Sequence, residues 1–293
     1  MTVGIRYPTG MKISAAALAI GLLTTGLAPT ADAGEPSVAG LPGIIGTDGR
    51  IRIDSAAPPW NAIGRVNRRF GGFCSGALVG ADRVLTAAHC LFNARTGRWP
   101  PARSLHFVAG YRRNEYVADA VVARTTIAGH ENLGDDATGS VRTGIEIDRR
   151  GRPKHVAQDW AYLTLSKPMA GFSGPPAAGG TVGGAGRDGN PSLPPIRPFP
   201  FYRGSLAALE GKSIVLAAYH QDASHILSVE ADCHLSGIVE GGRVFTHTCD
   251  STKGASGAPI FVMRDGALQI VGITVGILKR EGKAVGVGVR PPF

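Results

Sequence analysis

The chain has 293 residues, of which 18% are charged and 6% are aromatic, with 42 glycines and a formal net charge of +9. This length allows one large hydrophobic core or two small ones, and the abundance of glycine favours β-structure with many turns. The Arg and Lys residues are scattered in short pairs such as Arg68-Arg69, with no basic helix, so we do not expect the chain to bind nucleic acid.

The N-terminal residues have the pattern of a secretory signal. Lys12 is followed by the apolar run ISAAALAIGLLTTGL and then by Ala31-Asp-Ala33, which provides a small-residue cleavage site. The apolar run is too short to span a membrane, so no stable membrane association is expected. The sequence therefore predicts a signal peptide over residues 1–33 and a secreted protein, either extracellular or periplasmic.

Glycine, proline and short apolar runs divide the remaining chain into four parts. Residues 34–52 are glycine-rich and weakly patterned, which suggests a pro-segment. Strand-like runs such as RVLTAA and WAYLTL fill residues 53–170, and residues 171–200 form a Gly/Pro-rich linker or insertion. A second set of strands occupies residues 201–293. Two groups of about six strands predict an all-β protein built from two barrels or two sandwiches.

Four cysteines are consistent with export to an oxidising compartment. They permit three pairings, and the two local ones, Cys74–Cys90 and Cys233–Cys249, each join residues 16 apart. Each closed loop would stabilise the fold by about 3 kcal/mol in the chain-entropy model. We therefore predict two local disulfides.

Metal binding is the alternative use of these cysteines. A zinc site would combine them with His89, His234 or His247, but the chain has no C-x-x-C spacing to support it. Asp135-Asp136 beside Glu131 offers carboxylates for calcium, although an exposed acidic loop is the more common outcome. No metal site is predicted.

Ser256 lies among small residues in CDSTKGASGAPIF, residues 249–261. Small neighbours allow a sharp bend close to a ligand, but they also make ordinary surface turns. A serine nucleophile needs a base and a group that orients the base. His89 in VLTAAHC and Asp159 in AQDWAYLTL lie at strand ends and are the candidates for these two roles.

Three segments carry a resemblance to a known family. CSGALVGADRVLTAAHC, DWAYLTL and CDSTKGASGAPIF resemble the chymotrypsin/trypsin-like serine endopeptidases, especially the secreted bacterial branch similar to glutamyl endopeptidases. The resemblance extends from Trp60 to Phe293. It implies two six-stranded antiparallel β-barrels with the active site in the cleft between them, a monomer acting on proteins or peptides, and no cofactor.

The resemblance also implies the role of each site residue. Ser256 attacks the peptide carbonyl, His89 transfers the proton, and Asp159 orients His89. The backbone N–H groups of Gly254 and Ser256 form the oxyanion hole. Ala258 stands where an α/β-hydrolase elbow would need glycine, which argues against that fold.

The primary pocket departs from the family pattern. Asp250 lies six residues before Ser256, where trypsin resemblance places an acidic pocket floor, so a preference for Arg or Lys before the scissile bond is predicted on Asp250 alone. The alternative is that Asp250 accepts hydrogen bonds from turn N–H groups. In Gly272-Ile-Thr-Val-Gly276, Ile273 corresponds to the histidine with which the glutamyl endopeptidases meet a substrate carboxylate, and this departure argues against glutamate specificity. Thr274, Val275 and Gly276 are expected to line the substrate backbone as an antiparallel edge.

Ala255 is a second departure from the family pattern. The animal digestive enzymes have an aspartate there, which pairs with a newly cut N-terminus, and Ala255 excludes that activation device. Two other functions remain compatible with the sequence: a latent or non-enzymatic binding protein on the same scaffold, and an esterase using the same three residues.

Overall fold

The computed structural model describes residues 41–128, 130–131, 146–148, 152–173, 177–178, 194–280 and 283–292. The predicted signal peptide and the candidate calcium residues Asp135 and Asp136 lie outside these residues. The described residues contain sixteen strands: β1 (Ile51–Ile53), β2 (Ile63–Arg68), β3 (Phe73–Leu78), β4 (Arg83–Thr86), β5 (Leu105–Ala109), β6 (Glu115–Tyr116), β7 (Ala118–Ile127), β8 (His130–Glu131), β9 (Ala161–Leu165), β10 (Ala177–Ala178), β11 (Ser213–Tyr219), β12 (Leu227–Val239), β13 (Val244–His247), β14 (Pro259–Arg264), β15 (Ala267–Arg280) and β16 (Lys283–Val289).

The helices in the described residues are short 3₁₀ turns. Their bounds are Trp60–Ala62, Ala88–Leu91, Ala102–Ser104, Val156–Gln158, Leu206–Leu209, Gln221–Ala223 and Glu240–Gly242. Within the described parts of the chain, none of the helices is long and apolar enough to cross a membrane.

The first barrel closes through six antiparallel strands in the order β5-β2-β3-β4-β9-β7, with β7 pairing back to β5. Alternation of side chains produces its core, as in β9, where Ala161, Leu163 and Leu165 are buried and the residues between them are only partly covered. The predicted all-β fold of two barrels is confirmed, and two sandwiches are excluded because both sheets close on themselves.

The second barrel closes in the order β12-β11-β14-β15-β16-β13, with β13 pairing back to β12. A two-residue hairpin joins β14 to β15 through Asp265 and Gly266, which have φ values of 52° and 76°. Positive φ at both central residues defines the turn type that matches the right-handed twist of the flanking strands. The Asp-Gly pair therefore fixes the register, with Arg264 opposite Ala267.

Two disulfides stabilise the molecule, one in each barrel. Cys74–Cys90 joins β3 to the 3₁₀ turn after β4, and Cys233–Cys249 joins β12 to the segment after β13. Both predicted pairings are confirmed. No free cysteine remains in the chain.

Residues 41–50, which we call the strap, precede the first barrel in sequence but contact the second. The strand that follows them, β1, pairs antiparallel with β12, with Ile51 opposite Val229. Arg50 binds the carboxylates of Asp48 and Asp222, with Nη2 2.7 Å and 2.9 Å from their oxygens. The segment assigned from sequence to a possible pro-segment thus includes residues that bind the second barrel.

Part of the Gly/Pro-rich stretch also packs against the barrels. Ile196 and Phe199 are buried, and the N–H of Phe199 donates to the carbonyl of Leu78 in β3. Ala177 and Ala178 form the two residues of β10, which pairs with β6. The described residues of this stretch therefore belong to the folded structure.

Candidate active site

The register of β4 and β9 brings His89 and Asp159 together. These strands pair antiparallel with Thr86 opposite Ala161, so the end of β4 lies beside the start of β9. A 3₁₀ turn after β4 carries His89, and a second 3₁₀ turn ends directly before Asp159. Strand ends on a closed barrel hold side chains rigidly, which suits groups that must keep a fixed distance.

The two side chains form a close pair. His89 Nδ1 lies 2.7 Å from Asp159 Oδ2, and the backbone N–H of His89 donates to Oδ1 at 2.9 Å. Asp159 is only 4% exposed, so its carboxylate depends on these donors for its hydrogen bonds. The arrangement fixes the ring orientation and leaves Nε2 as the nitrogen available for proton transfer.

Ser256 lies in the loop between β13 and β14, and the first barrel holds this loop in place. The backbone N–H of Ser75 in β3 donates to the Ser256 carbonyl at 2.9 Å. Ser256 and His89 line the same cavity. No hydrogen bond joins Ser256 Oγ to His89 Nε2 among the described contacts, and in substrate-free sites this bond is often long.

Gly254 provides the second proposed donor of the oxyanion hole. Its φ is +96°, and an added Cβ would meet the Phe73 ring at 2.7 Å and the Tyr219 carbonyl at 2.9 Å. The position therefore requires glycine. Within the described residues, neither the N–H of Gly254 nor that of Ser256 donates to a protein acceptor, so both are available to an incoming oxygen.

Ser75 is a positioning residue that sequence reasoning missed. Its fully buried hydroxyl donates to the Gly254 carbonyl at 3.0 Å and accepts from the Tyr219 N–H at 2.9 Å. Ser75 thereby links β3 of the first barrel to the oxyanion loop and β11 of the second. Its position directly after Cys74 is the one sequence feature that could have drawn attention to Ser75. No sequence pattern indicates that a serine in a buried strand forms hydrogen bonds to a distant loop.

Asp250, predicted as an acidic pocket floor, forms hydrogen bonds to the strap. Its carboxylate accepts the strap N–H groups of Ile45 at 2.6 Å and Gly49 at 3.0 Å, and its side chain is buried. The Ser251 N–H in turn donates to the Gly43 carbonyl at 2.8 Å. Asp250 therefore anchors the strap, as the alternative interpretation of turn N–H bonding suggested, although the donors come from a segment 200 residues away.

Two cavities meet at Ser256. The first, which we call the Gly276 cavity, has a volume of about 470 Å³ and includes Gly276, Ser251 and strap residues in its walls. The second, which we call the Cys74 cavity, has a volume of about 420 Å³ and includes Cys74, His89 and Gly254. Lys253 and Ser256 line both cavities, so a chain crossing Ser256 would run from one into the other.

Both cavities carry positive charge. Arg152, Lys253 and Lys279 line the Gly276 cavity, and Arg68 and Lys253 line the Cys74 cavity. Among the described lining residues of either cavity there is no Asp or Glu. The charged side chains among these lining residues are therefore all positive.

The residues expected at the substrate edge lie in β15. Gly276 lines the first cavity, whereas Val275 is buried and Thr274 is fully buried. Thr274 Oγ1 lies 3.2 Å from Nε2 of the buried His247 and 3.5 Å from Ser251 Oγ. Ile273, used in sequence to argue against glutamate specificity, is fully buried opposite Pro259 and Val289. Ile273 therefore gives no information about the pocket.

The described residues offer one cluster of potential metal ligands, formed by Cys74, His89 and Cys90. The two cysteines are joined in a disulfide, so neither provides a thiolate. The zinc alternative has no support from this cluster.

The buried carboxyl of Glu230, which lies beside Asp250, makes the stability of the protein depend on pH. Its carboxylate accepts the Asp250 N–H at 2.6 Å, and burial raises the pKa of Glu230 to about 7 from 4.5. Because the folded protein holds this proton more tightly than the unfolded chain, this group's contribution to stability is lost as pH rises from about 4.5 to about 7. Glu230→Gln should therefore raise the free energy of unfolding at pH 8 by about 1 kcal/mol, allowing for solvent screening, and leave it unchanged at pH 4.

Urea unfolding at the two pH values measures this effect. Glu210→Gln, which alters an exposed glutamate, serves as the control and should change neither value. An equal gain for Glu230→Gln at both pH values would show that titration of Glu230 is not the cause.

Two closed six-stranded barrels, with a His–Asp pair and a serine at a shared cavity, define the class of chymotrypsin-like serine peptidases. A family model described as a trypsin-like peptidase domain matches residues 74–273. The chain belongs to this trypsin-like peptidase family and is a serine endopeptidase. A solved structure described as Glu endopeptidase in complex with MPD aligns with a TM-score of 0.57 and 16% sequence identity, covering 85% of this chain and 93% of that one. At that identity the match supports the fold.

Proposed function

We propose that the protein is a secreted endopeptidase that cleaves peptide bonds through Ser256, His89 and Asp159, with an acyl-enzyme intermediate. The observation that carries the proposal is the 2.7 Å contact between His89 Nδ1 and Asp159 Oδ2, with Ser256 lining the same cavity as His89. Nε2 is then free to take the proton of Ser256 Oγ and to pass it to the leaving amine. Formation of both disulfides and the Ala31-Asp-Ala33 motif support export.

The oxyanion that forms during attack would be held by the N–H groups of Gly254 and Ser256. Neither group has a protein acceptor among the described residues, so neither must break a bond to do this. Preorganised donors of this kind contribute about 3 to 4 kcal/mol each to transition-state stabilisation.

An acidic side chain before the scissile bond fits the observed pocket better than Arg or Lys. The Asp250 carboxylate, on which a basic preference depended, already accepts two strap N–H groups. The Gly276 cavity instead carries Arg152, Lys253 and Lys279. The structural neighbour is described as a Glu endopeptidase, which supports the same direction.

Labelling with a fluorophosphonate tests the mechanism. Wild type should be labelled covalently, and Ser256→Ala should not, because the probe reacts with an activated serine hydroxyl. A peptide library then tests the pocket, with cleavage expected after Glu or Asp. Absence of labelling in folded, processed wild type would favour the latent or binding-protein alternative, and labelling with ester cleavage but no peptide cleavage would favour an esterase.

A further inference from the structure

The Cys74 cavity lies on the leaving-group side of the scissile bond. His89 returns its proton to the departing amine, so the leaving segment must lie beside His89. His89 lines the Cys74 cavity, and it is absent from the lining of the Gly276 cavity. The residues that follow the scissile bond therefore enter the Cys74 cavity, a conclusion that rests on the proposed function.

Arg68 is a positive group in this cavity without a negative partner. It lies at the end of β2, and its guanidinium stands over the Phe70 ring at 5.2 Å. Its Nη1 makes one long contact, 3.4 Å, to the Cys90 carbonyl, and its Nε is buried with no acceptor among the described residues. No ion pair of Arg68 is present in the described part of the chain, so no carboxylate there offsets the cost of partly burying its guanidinium.

The local backbone gives Arg68 its position. The N–H of Arg68 donates to the Gly72 carbonyl at 3.2 Å, and the N–H of Gly71 donates to the Arg68 carbonyl at 3.0 Å. Gly72 has a φ of +75°, and a Cβ there would meet the Arg68 guanidinium at 2.5 Å. The glycine turn thus provides the space in which the guanidinium lies at the cavity wall.

Lys253 supplies a second cation to the same cavity. It is exposed, and its carbonyl accepts the Gln221 N–H at 2.6 Å, which fixes its backbone beside Gly254. Because Lys253 and Arg68 both line a space that also contains Ser256, they lie within reach of the first residues of the leaving segment.

We propose that Arg68 and Lys253 form a carboxylate-binding subsite for the first or second residue after the scissile bond. Arg68 supplies planar, forked donors suited to a carboxylate, and Lys253 adds a flexible positive charge. The carboxylate comes from an Asp or Glu side chain, and a free C-terminus of a short leaving segment is the other source of the same group. Substrates with acidic residues after the cleaved bond are then preferred.

Quenched fluorescent peptides that differ in one residue test the subsite. Glu or Gln is placed at the first or second position after the scissile bond, in peptides with amidated C-termini. Wild type should show about a tenfold higher kcat/KM for Glu than for Gln, which corresponds to one good charged contact of about 1.4 kcal/mol. The ratio should fall with added salt, because the contact is partly solvent-exposed.

Arg68→Gln should reduce the Glu-to-Gln ratio well below tenfold, to the part that Lys253 supplies, and Arg68→Lys should retain more of it. Arg69→Gln is the matched control, since it removes the same charge from an exposed neighbour that does not line the cavity, and its ratio should equal that of wild type. A third peptide set has Gln and a free C-terminus two residues after the scissile bond. It tests whether the carboxylate that binds is the C-terminus of the leaving segment. If only the peptides with a free C-terminus are cleaved preferentially, the subsite binds the C-terminal carboxylate and not an Asp or Glu side chain.

Binding to Ser256→Ala separates this proposal from the proposed function. The same peptides, uncleaved, should bind this variant about tenfold more tightly with Glu than with Gln, and Arg68→Gln in that background should reduce the difference to the part that Lys253 supplies. If the Glu peptides still bind more tightly than the Gln peptides but wild type cleaves neither, the subsite is supported and the proposed mechanism is overturned. Cleavage by wild type with a Glu-to-Gln ratio near one would overturn the subsite alone.

Discussion

Asp159→Asn should lower kcat by about 10⁴ while changing KM by less than a few-fold. The Asp159 carboxylate accepts two donors, Nδ1 of His89 on one oxygen and the His89 backbone N–H on the other. An amide offers a single acceptor and presents an NH₂ group to the second donor. The ring would then turn or change its tautomer, so that Nε2 no longer accepts the Ser256 proton.

A second His–Asp pair in the same barrel provides the control. His106 Nε2 lies 2.7 Å from Asp119 Oδ2, the same distance as in the His89 pair, but neither residue lines a cavity with Ser256. Asp119→Asn should therefore leave kcat within about twofold of wild type. Steady-state kinetics on both variants, with circular dichroism to confirm folding, makes the comparison. Similar losses for the two variants would mean that Asp159 contributes only structure.

Gly257→Ala should destabilise the protein by about 3 kcal/mol or more and lower its thermal midpoint by about 10 °C. The φ of Gly257 is +80°, where a side chain costs about 1 to 2 kcal/mol. A Cβ there would also overlap the Thr86 hydroxyl and the Ser75 carbonyl of the first barrel. The substitution therefore pushes the serine loop away from the strand end that leads to His89.

Gly266→Ala separates the two effects of this change. Gly266 has a similar φ of +76°, but an added Cβ there meets no atom within 4 Å. Gly266→Ala should lower the free energy of unfolding by about 1 kcal/mol, through backbone strain alone. It should leave fluorophosphonate labelling of Ser256 at the wild-type rate. Gly257→Ala should slow labelling as well as lower the midpoint. An equal loss of unfolding free energy in the two variants would show that contact between the barrels is not the reason for glycine at position 257.

Features that depend on short sequence motifs could be predicted: the two disulfides and the two barrels are confirmed, and the roles of the three candidate site residues stay predictions. His89, Asp159 and Ser256 each lie in a segment with its own apolar pattern, and the local disulfides follow from equal spacings of 16 residues. The two barrels follow from the grouping of the strand-like runs. These features depend on neighbours in the chain, and a sequence displays such neighbours directly.

The features that were not predicted depend on contacts between distant segments. Asp250 suggested a pocket floor, but the strap covers it from about 200 residues away. Ser75 was missed because its partners, Gly254 and Tyr219, lie more than 140 residues further along the chain. The absence of an acidic partner for Arg68 among the described residues is likewise a property of the folded cavity, and the adjacent Arg68-Arg69 pair gives no sign of it.

The bonds from Ser75 to the oxyanion loop have a consequence for the cell that makes the protein. The first barrel is synthesised before Ser256, and the serine loop meets Ser75 and Thr86 only when the second barrel has packed against the first. A nascent or truncated chain thus contains the His89–Asp159 pair without a shaped nucleophile loop. The serine loop therefore takes its shape in that cell only after both barrels have been synthesised and have packed together.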